Sequence, residues 1–470
     1  MILLANLFGL VAARNASGPE SLDLSLLRLL SGLPGTPKAS SSGLESPASP
    51  GTDVQVTSDP ANMPQNEPSI TINPSNSSVI AAGANDYRLA AQGLDAWAGV
   101  YISKDAGETW TNGLLPGYPG GPSSVLTGFD TAGDPALAFD KQGNLYYAGI
   151  AFNRAGGGGV RDGTVFAAKS TNTGNTFTTV IVARGSANTF NDKPYIAVDT
   201  TNGQFSGRVY ISYTQFRSTT GKIQVSFSSN GGASFSTEMI VSDSDVNQGS
   251  IPAVGPNGEV YVVWRDLVNN RIKIAKSNNG GTSFSTPVVV ANTVPIPNPL
   301  PNTLFRTNSF PALAVDPQSG NVYVAWSDYG NLNADILFSR STNGGQTFSG
   351  RVKINDDTTT SDQFFPWLAS LNGTVSAVFY DRRLDPSNVN LDVFYTDSTD
   401  GGVTFSENVR ITDLSIDPNV QFQGQFIGDY IGLALTDTNA HPAWTDTRNL
   451  NQDIFTDHVV TLEIHDIAVT

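Results

Sequence analysis

The chain has 470 residues, with 26 Lys plus Arg against 42 Asp plus Glu and a formal net charge of −16. A balance this acidic argues against nucleic acid as a partner, because phosphate contacts need a basic face. There is no cysteine, and the three histidines (His441, His458 and His465) sit near the C-terminus. Disulfides, thiolate metal sites and thiol catalysis are therefore excluded, and a multi-histidine centre is disfavoured.

Residues 1–52 read as a tail. The opening MILLANLFGLVAARNAS has the apolar length of a secretion-signal core but no preceding positive charge. It is too short to span a membrane, and no other stretch qualifies. A leucine-rich segment over 21–33 suits a short amphipathic helix, followed by a Pro-, Ser- and Gly-rich linker. The tail is expected either to stay unstructured or to dock on the domain or a second copy, giving self-assembly.

From Asp53 to residue 462 the sequence repeats. Two short apolar strands joined by a Gly/Asn turn recur seven times, at a spacing of roughly 55 to 67 residues. Each complete unit adds a third strand, an octapeptide and a fourth strand. The octapeptide is Ser-x-Asp/Asn-x-Gly-x-Thr/Ser-aromatic, starting at Ser103, Ser170, Ser228, Ser277, Ser341 and Ser398. Its acidic or amide residues are Asp105, Asn172, Asn230, Asn279, Asn343 and Asp400, short side chains suited to closing a turn on backbone amides. The glycine supplies a positive φ and the aromatic a buried ring.

The seventh unit has a third strand near 452–459 but neither octapeptide nor fourth strand. Val54-Gln55-Val56-Thr57 resembles the fourth strands Val409-Arg410-Ile411-Thr412 and Val352-Lys353-Ile354-Asn355. The expectation is an all-β, seven-bladed propeller of four-stranded antiparallel blades, with the N-terminal strand closing the ring and removing an exposed edge. Six blades is the alternative if the first unit is irregular. Residues 463–470 read as a linker or as the start of a following Ig-like domain.

The octapeptide resembles the Asp box, or bacterial neuraminidase repeat, of the sialidase-like β-propellers. That resemblance implies the fold and, in true sialidases, three arginines on a substrate carboxylate, a tyrosine–glutamate nucleophile pair and an aspartate acid/base. No Arg-Ile-Pro motif of that family occurs here, and the family has six blades rather than seven.

On the face opposite the octapeptides, the loops leading to first strands are expected to bring Glu67, Asp134, Asp192, Arg306, Asp362, Asp429 and Tyr430 near the axis. Loops after second strands bring Arg88, Arg265, Arg383 and Arg448. Aspartates recurring with the blades, such as Asp266, Asp328, Asp381 and Asp446, read as loop ties. The residues that break the repeat are better placed for chemistry: Glu67 and Tyr430 as catalytic candidates, and Arg88, Arg306, Arg383 and Arg448 for substrate binding; Asp134 and Asp192 are further catalytic candidates.

The preferred reading is a secreted or cell-surface module that binds glycan or a surface protein, or that serves assembly; the alternative is an exo-acting, sialidase-like glycoside hydrolase. No cofactor is expected. Abundant Asp and Asn leave a structural calcium ion as a third reading, although no Asp-x-Asp-x-Asp-Gly loop is present.

Overall fold

The computed structural model describes residues 50–154 and 160–461. The expectations for the secretion signal, the leucine-rich segment and the linker or Ig-like start at 463–470 lie outside those residues. Within them the chain forms seven antiparallel sheets in a ring. Blade 1 runs from strand Gln65–Ile72 to Thr111–Leu114, blade 2 from Thr131–Phe139 to Thr178–Ala183, and blade 3 from Phe190–Val198 to Met239–Ile240. Blade 4 runs from Asn247–Val254 to Val288–Asn292, blade 5 from Ala312–Val315 to Val352–Lys353, and blade 6 from Gln363–Leu371 to Val409–Arg410. Blade 7 takes Gly432–Leu435, Asn439–Asp446 and Asp453–Thr456 from the C-terminal end.

Its fourth strand is Val54–Gln55, paired antiparallel with Val54 opposite Thr456 and Gln55 opposite Phe455. The closure is as the sequence predicts. Asp53 is buried beside it and receives the Asp413 amide at 2.7 Å and a guanidinium bond from Arg448. A fifth short strand, Val459–Val460, adds to the second strand of blade 7.

Second strands such as Val-Tyr-Val-Val-Trp over 260–264 bury both faces, because every sheet is sandwiched between two neighbours. Trp264, Trp326 and Trp444 are fully enclosed, and each indole N–H finds a partner: Asn247, Asp328 and Asp446 respectively.

The six octapeptide turns share one hydrogen-bond pattern. In the first, Ser103 Oγ donates to Asp105 Oδ1 and accepts from the Gly107 amide, while the Thr109 amide donates back to Asp105. The turn beginning at Ser341 repeats this with Asn343, Gly345 and Thr347.

The turns also fasten blades together. A Cβ on Gly232, Gly281, Gly345 or Gly402 would meet Tyr146, Tyr210, Tyr261 or Tyr323 of the preceding blade within 3.4 Å. In three of these turns the neighbouring carbonyl takes a cation from that same preceding blade: Lys169 on Gly231, Arg208 on Gly280 and Arg340 on Gly401. Blade 6 precedes the blade without an octapeptide, and Ser376 occupies the tyrosine position there.

Candidate functional site

The site face is set by irregular first strands. In blades 1, 2, 3, 4 and 6 the first strand slips register near its start. The residue at the slip has positive φ: Glu67 (57°), Asp134 (51°), Lys193 (48°), Gly249 (70°) and Phe365 (52°). Except for Gly249, each is followed by proline, which withholds a ladder donor and suits a bulge. For a non-glycine residue this backbone is strained, and such strain concentrates at functional sites. Its effect here is to turn three ionisable side chains from adjacent blades into one cluster.

Asp429, at the start of blade 7, is the anchor. Arg306 grips it with Nε to Oδ1 at 2.7 Å and Nη2 to Oδ2 at 2.6 Å, and Lys193 Nζ donates to Oδ2 at 2.5 Å. Lys193 belongs to blade 3, so this bond crosses the axis. Glu67 Oε1 lies 3.4 Å from Arg306 Nη2 and 3.8 Å from Lys193 Nζ, and Oε2 accepts from Asn85 at 2.8 Å. Asn85 Oδ1 accepts the Asp134 amide, and Gln248 donates to Asp192 at 3.0 Å. Asp134 and Asp192 are half-buried, whereas Glu67 and Asp429 are enclosed.

These surroundings split the carboxyl groups. Burial pushes Glu67 up to about 8, against the pull of Lys193, with Asp134 and Asp429 adding to the rise. Burial also raises Asp134 and Asp192. Asp429 goes the other way: Arg306 and Lys193 overcome its burial and hold it well below the usual carboxylate range. Both cations are driven further toward their charged forms by the surrounding carboxylates, despite desolvation.

Aromatic rings cross the channel beside this cluster. Tyr195 of blade 3 packs on Trp367 of blade 6 at 5.4 Å and on Tyr430 of blade 7 at 5.6 Å, and Lys193 lies 5.6 Å from the Tyr430 ring. A second aromatic chain lines the mouth: Tyr87 meets Phe422, Phe422 meets Phe426, and Arg306 stacks 4.4 Å over Phe426. Burial, then Glu67, raise the Tyr430 hydroxyl well above its ordinary value.

Among the sequence candidates, the structure thus gathers Glu67, Tyr430, Asp134, Asp192 and Arg306. It places Arg88, Arg383 and Arg448 elsewhere. Each closes an Asp-x-Arg turn in which the aspartate two residues earlier accepts both the backbone amide and the guanidinium: Asp86, Asp381 and Asp446. Asp362 is also committed, to Arg382, Asn388 and the Ala334 amide. Sequence reasoning missed Lys193, Tyr195 and Trp367; the recurring X-Pro at the slip was the available signal. Among the described residues no group of three or more acidic or histidine side chains is arranged to hold a metal ion. No helix there is long and apolar enough to cross a membrane.

Fold and site together define a seven-bladed propeller with an acidic, cation-bridged axial cluster. No family model matches the sequence, and no curated protein does either. Solved structures similar in fold include a protein of unknown function from Dyadobacter fermentans, at 15% identity and TM-score 0.47 over 71% of this chain and 94% of that one. The leech intramolecular trans-sialidase matches at 12% identity and 0.47, over 80% and 71%. An α-L-arabinanase from Penicillium chrysogenum matches at 12% and 0.48, over 87% and 98%.

Proposed function

We propose that the axial site binds the end of a glycan and cleaves its terminal glycosidic bond by carboxyl acid/base chemistry. The observation that carries this reading is the gathering of Asp134 and Asp192, both raised by burial, around the ionised Asp429 and its two cations. Carboxyls raised by burial are suited to giving and taking protons at a reacting bond. Tyr195, Trp367 and Tyr430 supply flat apolar faces for a sugar ring. Because these rings from blades 3, 6 and 7 pack on one another across the axis, we read the site as closed behind them, which favours a chain end over a chain interior.

Asp134, half-buried and with its carboxyl raised by burial, gives a proton to the leaving glycosidic oxygen as the carbon–oxygen bond breaks. Asp192 takes a proton from the attacking water, whose oxygen bonds to the anomeric carbon. Solvent returns both carboxyls to their starting states. Asp429 and its cations hold the geometry. A Tyr430 nucleophile fits less well, since its hydroxyl is held far from ionisation.

A second reading, glycan binding without cleavage, is favoured by one observation: Glu67 is enclosed and both its oxygens have partners. The apolar N-terminal run supports export to the cell exterior for either reading, and cell fractionation tests this. A fluorogenic glycoside panel, run with wild type, Asp134→Asn, Asp192→Asn, Glu67→Gln and Tyr430→Phe, separates the two functions. Turnover lost in Asp134→Asn and Asp192→Asn supports cleavage. No turnover on any glycoside, with binding on a glycan array, would leave only the second.

A further inference from the structure

The strand that closes the ring, Val54–Gln55, is held to blade 7 by two paired residues and by the Val56 and Thr57 amides on the Ile454 carbonyl. A joint of so few bonds opens locally at a fraction of the free energy that unfolds the whole ring. Three carboxyls crowd it. Asp53 precedes the strand, Asp453 opens the strand it pairs with, and Asp457 follows that strand.

Cations do not match these carboxyls. Asp53 is served by Arg448, which Asp446 shares, and its second oxygen is enclosed with no partner among the described residues. Asp413 faces it, the two exchanging backbone-amide bonds at 3.2 and 2.7 Å. Asp457 is 1% exposed and accepts the Gly51 and His458 amides. The His458 imidazole, half-exposed, stands 3.9 Å from it, and His441 lies within electrostatic reach of that ring. The chain passes Asp457 so closely that a Cβ on Gly51 would stand 2.6 Å from its carboxyl oxygen. Asp453 meets the side-chain amides of Asn449 and Asn451 and two more carboxylates, Asp446 and Asp59.

Blades 5 and 6 build the same joint with a charge in it. Lys353, second in the fourth strand of blade 5, lies 3.1 Å from Asp335 at the start of the third strand, and Arg410 lies 2.7 Å from Asp392 in blade 6. Gln55 holds that position in blade 7. It is neutral, so Asp453 has no cation on the strand paired with it.

We propose that the ring seam is a proton-operated latch, in which Asp53, Asp453 and Asp457 take up protons as the N-terminal strand closes on blade 7 and the strand detaches more readily as pH rises. Burial raises all three carboxyls, Asp457 to about 6 against the pull of its two amides and His458. An open strand returns them to water and to ordinary values. The contribution of Asp457 to closure is therefore complete below pH 3.8 and is lost as pH rises through about 6. Asp53 and Asp453 act in the same direction. Between pH 5 and pH 8 the loss at Asp457 alone is about 10-fold in the closing equilibrium. Opening also reaches toward the axis, because the same segment runs on to Gln65 and Asn66, both bonded to Gln452 of blade 7 just before Glu67. The latch operates whether the axial site cleaves a sugar or only binds it.

The test is native-state hydrogen exchange of the full chain by mass spectrometry from pH 5 to pH 8, with the intrinsic pH dependence of exchange divided out. Peptides covering 54–57 and 454–457 should lose protection by about 10-fold or more across that range. Val409–Arg410, a fourth strand of the same length with its cation in place, should change far less. Asp457→Asn takes one proton out of the closing step and should flatten the slope of the seam peptides, whatever it does to their protection at any single pH. Gln55→Lys supplies the cation that blades 5 and 6 carry and should raise seam protection more at pH 8 than at pH 5. Seam protection that does not change with pH, an equal slope at Val409–Arg410, or the wild-type slope in both variants overturns the latch.

Discussion

Glu67 and Asp429 reach one cluster from adjacent blades with opposite proton affinities, joined through Arg306, whose Nη2 lies 3.4 Å from Glu67 and 2.6 Å from Asp429. The guanidinium thus serves two carboxyls unequally. It takes Asp429 in a fork and leaves Glu67 a single long contact, so Asp429 keeps the negative charge and Glu67 keeps a proton.

This asymmetry sets a pH dependence. Glu67 rises from an ordinary value of 4.5 to about 8 in the folded protein. Its contribution to stability is complete below pH 4.5 and is lost as pH rises toward 8, where the native state must give up a proton that the unfolded chain lost earlier. Asp429 acts oppositely, its contribution fading only as pH falls into the acid range. Melting temperatures measured from pH 5 to 9 should decline across this window in wild type and flatten in Glu67→Gln. A parallel decline in both proteins would show that Glu67 is not the group responsible.

Lys193→Met should cost up to about 3–5 kcal/mol in urea unfolding, because it removes one of the two cations on a buried carboxylate. Asp429→Asn should cost less in that variant than in wild type, since Lys193 is no longer there to be stranded while Arg306 loses its fork in both. Simple additivity of the two changes would mean that the contact across the axis carries no coupling.

At the ring seam, Arg448 serves both Asp53 and Asp446, and those two carboxylates are fully buried. Arg88, its counterpart in blade 1, serves Asp86 alone. Arg448→Met should therefore destabilise more than Arg88→Met, by about 3–5 kcal/mol against a smaller loss. Equal urea midpoints for the two variants would contradict a special role for the seam.

Gly402 has φ +81°, and an added Cβ would stand 2.8 Å from Phe338 Cζ and 3.4 Å from Tyr323. Gly402→Ala should cost at least about 1–2 kcal/mol from the backbone alone. Gly350, with open space around it, should accept alanine with little change or a gain of up to about 1 kcal/mol. Thermal melts of the pair check this, and similar shifts in both would remove the contact from the explanation.

The ring was legible because its signals are local and repeated: seven strand pairs, six octapeptides, and a stray Val54-Gln55 segment resembling fourth strands elsewhere. The site was half legible. Knowing which turns face the axis was enough to nominate Glu67, Asp134, Asp192, Arg306, Asp429 and Tyr430. Lys193 escaped because a regular strand sends neighbouring residues to opposite faces, which would point it away once Asp192 pointed inward. The slip at Asp192 breaks that alternation. Arg88, Arg383 and Arg448 misled in the other direction. Each has an aspartate two residues earlier, and a short turn closing on itself satisfies both charges before either can reach a ligand.

The octapeptide turns give the ring a direction. Each of four turns leans on a tyrosine of the blade before it, and blade 6, with no such turn following, carries Ser376 in place of the tyrosine. The heritable module is therefore staggered relative to the sheet, running from the tyrosine of one blade to the turn of the next. A blade grafted or duplicated as a bare sheet would arrive with half of each joint missing. One cut between tyrosine and turn would carry both halves intact, which makes that staggered boundary the natural place to lengthen, shorten or recombine propellers of this kind.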